Sequence, residues 1–163
     1  MSGPPSPGRN PYDHPIGDDR NQVLHTVHLN LRKVPGTKAV RYEESGTGVE
    51  KQVVADFDTD VFADGVIQAE GASIEVNWWP LEESPDRYWY KFHYYDSTGF
   101  DCGWHRQAND HVDGLDHYQE RESPDAEYEY AVFDPARSHP LSLLWEIVSG
   151  RLVSRLEIRY ASN

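Results

Sequence analysis

The stretch RYWYKFHYYDSTGFDCGWHRQ, Arg87 to Gln107, constrains the fold more than any other part of the chain. Its first half is dense in Tyr, Trp and Phe, residues that fit a pleated, half-buried surface. DSTG then places Asp96 and Gly99 where a tight hairpin turn needs them, and FDCGWHRQ follows as the returning strand. If Asp96 pairs with Gly99, Tyr90 stands opposite His105, His93 opposite Cys102 and Lys91 opposite Trp104. One face then carries Tyr90, Phe92, Tyr94 and His105, and the other Trp89, Lys91, His93, Cys102, Trp104 and Arg106. A bulge at Gly99 slips this register by one and regroups both faces.

Upstream, ASIEVNWWP reads as a strand and LEESPD as a turn, which gives a three-stranded antiparallel meander from Ser73 to about Gln107. GTKAVRYEESGTGVEKQVVADFD reads as further strand material broken by a Gly-rich turn at Ser45 to Gly48. HYQERESPDAEYEYAVF adds one or two strands separated at Ser123 to Asp125. VLHTVHLNLRKV alternates through Val27, Leu29 and Leu31, so a strand with one buried face is expected from Val23. His25 would share the Val27 side and His28 the other, both as structural or surface histidines. In the tail, Leu141, Leu144, Trp145, Val148, Leu152 and Leu156 fall on one helical stripe. Pro140 suits the first turn, and Gly150 is a point where that helix would kink or end.

These elements predict an α+β fold: an antiparallel β-sheet meander packed by a C-terminal α-helix, so that each buries the other's apolar surface. The opening 22 residues hold five prolines and three glycines with no apolar period, which predicts a disordered, flexible N-terminal arm over residues 1–22. Residues 23–163 then form a single α+β domain, a size that supports one core.

Charge and cysteine content narrow the function classes. The chain has 28 acidic and 15 basic residues, only four of the latter lysines, for a net charge of −13. The acids are spread along the chain rather than gathered in a tail. That pattern reads as adaptation to a salt-rich, halophilic cytoplasm, the competing reading being a partner with a basic surface. The single cysteine, Cys102, excludes an intramolecular disulfide and a cysteine-based zinc cluster. No apolar run approaches the roughly 20 residues of a spanning helix, and the N-terminus lacks a signal-peptide pattern, so a cytoplasmic protein without membrane insertion is expected. No phosphate loop, dinucleotide fingerprint or nucleophile elbow occurs.

Two stretches can carry chemistry. On the hairpin, a histidine, a cation and several tyrosines fall near one another. Imidazole titrates near neutral pH, Lys or Arg stabilises developing negative charge, and aromatic rings stack on bases, which together fit metal-independent acid/base cleavage of RNA. The plain alternative is that the aromatics fill one sheet face and His93 and Arg106 occupy the solvated one. Beyond the hairpin, His105, His111 and His117 recur every six residues with Asp110, Asp113 and Asp116 between them. Such a set could bind zinc, manganese or iron if a loop converged it, although Asn109, Asp110, Asp113 and Gly114 are equally ordinary turn residues.

The succession YWYKFHYYDSTGFDCGWHRQANDH, then GLDHYQER, then a C-terminal helix resembles the TumE-like toxin family of prokaryotic toxin–antitoxin systems, over about Ser73 to Leu152. The positions carried over are Tyr94 and the DSTG turn, then Arg106, Asn109, Asp110 and His111 in the first polar loop, and His117 in the second segment. The resemblance implies a toxin that inhibits translation or cleaves RNA, and a cognate antitoxin protein as partner. The candidate site is therefore His105, Arg106, Asn109, His111 and His117, supported by Tyr94 and Lys91. His111 or His105 is the base, Arg106 the phosphate-charge stabiliser and Asn109 an orienter, with no cofactor and no metal. The alternatives are a non-enzymatic protein-binding module of a salt-adapted organism and a metal-dependent enzyme using the His/Asp loop.

Overall fold

The computed structural model describes residues 20–44, 51–81, 84–136 and 139–161; for residues 80–81 and 84–87 only the backbone is described. Residues 1–19, where most of the expected N-terminal arm falls, lie outside the described residues, as does the Ser45–Gly48 turn. Among the described residues seven strands form one antiparallel sheet in chain order: β1 Thr37–Glu44, β2 Lys51–Phe57, β3 Ala72–Leu81, β4 Ser84–Asp96, β5 Asp101–Arg106, β6 Asp116–Arg121 and β7 Glu129–Val132. Each strand pairs with the next one in sequence, and such a meander is the simplest route to a sheet.

The expected strand at Val23 is a helix instead, α1, spanning Arg20–Leu31. Val23, Leu24, Val27 and Leu31 are buried, while Leu29 is 42% exposed. The alternation of Val27, Leu29 and Leu31 mimicked a strand over five residues. Over the whole segment the apolar side chains instead follow the helical spacing of one, four and eight, and packing of that stripe outweighs the β-preference of valine. Asn30 Nδ2 donates to the Thr26 carbonyl at 2.8 Å, which satisfies a polar side chain buried in the helix. His25 is exposed, and His28 stacks on Tyr42 of β1 with ring centres 4.8 Å apart.

The C-terminal helix runs from Pro140 to Tyr160 as α2 (Pro140–Trp145), a π-helical turn (Glu146–Arg151) and α3 (Leu152–Tyr160). His139 caps it, with Nδ1 accepting from the Leu141 amide at 3.3 Å, and Pro140 sits in the first turn. At Gly150 the helix does not end; it widens into the π turn, and Leu143 and Ile147 are fully buried while Trp145 is only half-buried. Both helices pack on one side of the sheet. Ile74, Val76 and Trp78 of β3, Tyr90, Phe92 and Tyr94 of β4, and Cys102 and Trp104 of β5 join Leu24, Leu31, Leu144, Val148 and Leu156 in a single core.

The hairpin between β4 and β5 fixes everything on the opposite side. Gly99 has φ +95°, Gly99 N donates to Asp96 O, and Asp96 N donates to Phe100 O, each at 3.0 Å. This is a three-residue loop with a bulge at Gly99, and Asp96 does not pair with Gly99. The register is therefore slipped by one from the two-residue turn: Lys91 faces His105, Phe92 faces Trp104, His93 faces Gly103 and Tyr94 faces Cys102. Because side chains alternate, His93 and His105 now share the face away from the helices.

Candidate functional site

Across the helix-free face, the one that no helix among the described residues covers, the register lays polar residues in rows. Asn77, Lys91, His105 and His117 stand side by side on β3 to β6; the next row is Glu75, His93, Gly103 and Gln119; the next is Ser73, Tyr95, Asp101 and Arg121. His93, His105, His117, Asp101 and Gln119 are all buried on this face, His117 completely.

The chain of contacts starts at the sheet's β6 side. Arg121 Nε donates to Asp101 Oδ2 at 2.6 Å, and Asp101 Oδ1 lies 2.8 Å from His93 Nε2. His93 Nδ1 is in turn 3.1 Å from His105 Nε2. Burial would push the Asp101 carboxyl up, but hydrogen bonds from His93, Arg121 and Tyr128 outweigh it and hold the group at about 2. Asp101 is thus a fixed anion, and the His93 nitrogen facing it carries a proton. Burial holds His105 well below the ordinary imidazole value of 6.5, and the neighbouring His93, His117 and Lys91 act in the same direction. His105 is therefore neutral at pH 7, and its Nδ1 is buried with no hydrogen-bond partner among the described residues.

Gly103 makes the His93–His105 contact possible. A Cβ at this position would overlap both His93 Nδ1 and His105 Nε2. A glycine inside a strand often marks such a close approach. The two imidazoles meet across the gap that its missing side chain leaves.

His117 completes the patch. Its ring lies edge-on to His105 with centres 5.3 Å apart; its Nδ1 is 3.3 Å from the Leu115 carbonyl and its Nε2 is 3.3 Å from Gln119 Oε1. Tyr128 and Tyr130 border the site from β7 and the loop before it, with Tyr128 6.3 Å from the His93 ring and Tyr130 6.2 Å from that of His117. Lys91 Nζ pairs with Glu75 at 3.3 Å.

Of the residues nominated by sequence, Lys91, His105 and His117 are thus brought together in one row. His111 lies on the exposed loop after β5, stacked flat on Tyr130 at 4.5 Å, and Asn109 Oδ1 accepts from the His111 amide at 2.8 Å, which holds that loop's turn. Arg106 and Tyr94 sit on the other face. Arg106 Nη1 donates to Asp116 Oδ2 at 3.2 Å, beside Tyr90, whose hydroxyl donates to the same carboxylate at 2.7 Å. The Tyr94 hydroxyl donates to Asp96 Oδ2 at 2.9 Å, and so does that of Tyr160 at 2.6 Å, tying the end of α3 to the hairpin turn. The expected sharing of one site by all seven residues is therefore divided between two faces of the sheet. Sequence reading did not nominate His93, Asp101, Gly103 and Arg121; the glycine between two histidine-bearing positions and the bulge at Gly99 were the signals available. Among the described residues no group of three His, Cys, Asp or Glu side chains is arranged to hold a metal ion.

No helix among the described residues is long and apolar enough to cross a membrane. No curated protein and no solved structure matches the chain. A family model described as Toxin TumE matches residues 38–151, which takes in every strand of the sheet, the whole histidine row and the first turns of the C-terminal helix. On that match, covering well over half its length, the chain belongs to the TumE toxin family, toxins of toxin–antitoxin systems.

Proposed function

We propose that this toxin acts on RNA by metal-independent acid/base cleavage at the helix-free face of the sheet, and that a cognate antitoxin neutralises it. The observation that carries this reading is the row Lys91–His105–His117: a neutral imidazole with an unpartnered ring nitrogen, flanked on one side by an ammonium and on the other by a second imidazole. His105 Nδ1 takes the proton of a ribose 2′-hydroxyl. The freed oxygen attacks the adjacent phosphorus, the bond to the 5′-oxygen breaks, and that oxygen takes a proton from His117, the next imidazole in the row. Lys91 meets the charge that develops on the phosphate, the role expected of Arg106 from sequence, and Asn109 shapes the loop that carries His111. Because Nδ1 is buried, the hydroxyl reaches it only when side chains over the row move aside.

The test is incubation of the full chain with single-stranded RNA in a chelator, across a series of salt concentrations that screens the net charge of −13. Products ending in a 2′,3′-cyclic phosphate, lost in His105→Gln, are expected. Intact RNA at every salt concentration, together with unchanged growth arrest by His105→Gln in a host without antitoxin, refutes the reading and leaves toxicity to binding by the sheet.

A further inference from the structure

Resting on the reading of His105 as a base, we propose that His105 does not keep the proton it takes: it passes one on to His93, and Asp101 with Arg121 fixes both rings in the tautomers that permit this. The structure poses a problem that this arrangement answers. His105 is buried where a charged imidazole is disfavoured, so a base that ended its step as an isolated imidazolium would oppose its own reaction. His93 is buried too, but it touches a carboxylate.

The proton positions follow from the partners. Asp101 is an anion and only accepts, so His93 Nε2 donates to it at 2.8 Å. With its hydrogen on Nε2, His93 presents Nδ1 as an acceptor, and the 3.1 Å contact with His105 is made by the His105 Nε2 hydrogen. His105 Nδ1 is left with a lone pair and no partner. When Nδ1 takes a proton from a hydroxyl, the Nε2 hydrogen moves to His93 Nδ1. His105 ends neutral with its proton on Nδ1, and His93 ends as an imidazolium against Asp101. One proton enters, one crosses the gap over Gly103, and the positive charge comes to rest at the carboxylate that Arg121 holds in place. His93 and Asp101 are positioning residues in this scheme, and His105 is the catalytic one.

Arg121 makes the scheme sharply testable. Its guanidinium has donors only, so in Asp101→Asn it claims the amide oxygen and turns the NH2 toward His93. His93 Nε2 must then accept, its hydrogen moves to Nδ1, and His105 Nε2 becomes the acceptor of that hydrogen. His105 is left with its hydrogen on Nδ1 and has no base to offer. The experiment is a long-range proton–nitrogen correlation spectrum of histidine-labelled full chain at pH 8.5, which distinguishes the two ring hydrogens. In the unmutated protein His93 and His105 are both expected as Nε2–H, and in Asp101→Asn both as Nδ1–H. RNA cleavage by Asp101→Asn is expected to fall about 100-fold or more in kcat with KM little changed, and Asp101→Glu to recover part of it.

A His105 ring carrying its hydrogen on Nδ1 in the unmutated protein overturns the proposal, even if Asp101→Asn fails to fold. So does an unchanged His105 tautomer in a folded Asp101→Asn. If the tautomers switch as described while the unmutated protein leaves RNA intact, the relay stands and RNA as the substrate falls.

Discussion

The two faces of the β4–β5 hairpin are both buried, and they are buried for opposite reasons. On the helix side Phe92 and Tyr94 are fully buried among the leucines of the C-terminal helix, and the polar atoms there, such as the Trp78 ring nitrogen and the Tyr94, Asp96 and Tyr160 oxygens, sit among apolar neighbours. On the other side, one residue along the same strands, His93, His105 and Asp101 are nearly as buried and hold each other through hydrogen bonds. Burying apolar area stabilises by about 25 cal/mol per Å², whereas burying a polar pair roughly cancels desolvation against contact. The helix side accounts for why the chain folds. The histidine side contributes little to that, and its orphaned His105 nitrogen is a cost without a structural return.

The largest effect expected from this contrast is on stability. Phe92→Ala leaves a cavity under the helices and should lower the unfolding free energy by about 3–5 kcal/mol, read from urea titration. RNA cleavage per folded molecule should be unaffected. A variant that unfolds no more easily would break the claim that the core lies on this side.

Gly103→Ala should do the reverse. The added methyl overlaps His93 Nδ1 and His105 Nε2, and turning the rings gives up their buried contact, so stability should fall by about 1–3 kcal/mol, less than for Phe92→Ala. The two rings are driven apart, and displacement of a catalytic group by about 1 Å costs on the order of 100-fold in rate. Measuring both quantities on one preparation separates the faces. Equal losses in stability and activity would mean that the histidine contact is part of the scaffold.

The pH dependence of stability sharpens the comparison further. His105 has a lowered value when folded, so the unfolded chain binds its proton first as pH falls below about 6.5. Stability is full above that pH and declines below it, with a slope of up to about 1.4 kcal/mol per pH unit for one proton. His28, lowered chiefly by burial, contributes in the same window. Asp101 acts in a separate, lower one: its contribution is present above 3.8 and is lost as pH falls toward about 2. His105→Gln should flatten the upper window and leave the lower intact, as followed by urea unfolding from pH 8 to 3. A slope unchanged by this substitution would show that His105 is not held neutral.

How far the sequence could be read follows the same division. The meander and the C-terminal helix were legible because alternation and helical stripes report burial against apolar neighbours, and the fold is built from those. Two things obscured the rest. A single bulge at Gly99 decides whether His93 and His105 share a face, and no pattern of hydrophobicity registers one extra residue in a turn. The six-residue recurrence of His105, His111 and His117 drew attention to a loop, whereas the contacts run across strands, from Arg121 through Asp101 and His93. Residues far apart in sequence become neighbours only once the register is known. At Val23 the ambiguity is of another kind, since valine's strand preference competes with a helical stripe of only about three turns.

The smallest effect tests the boundary between the faces. Tyr94 is nominated by family resemblance, yet its hydroxyl points into the core side and donates to Asp96, beside Tyr160. Burial and the neighbouring Asp96 keep that hydroxyl protonated far above neutral pH, so it does not give up its proton in a reaction near pH 7. Tyr94→Phe removes one of the two tyrosine hydroxyls on Asp96 Oδ2 while keeping the ring, and should cost about 1 kcal/mol in urea unfolding with cleavage and growth arrest unchanged. The same substitution at Tyr160 should give a similar loss, because both hydroxyls serve one anchor between the hairpin turn and α3. If Tyr94→Phe instead abolishes activity in a protein that is still folded, the hairpin's two faces are coupled through the turn, and the site extends to the side that the helices cover.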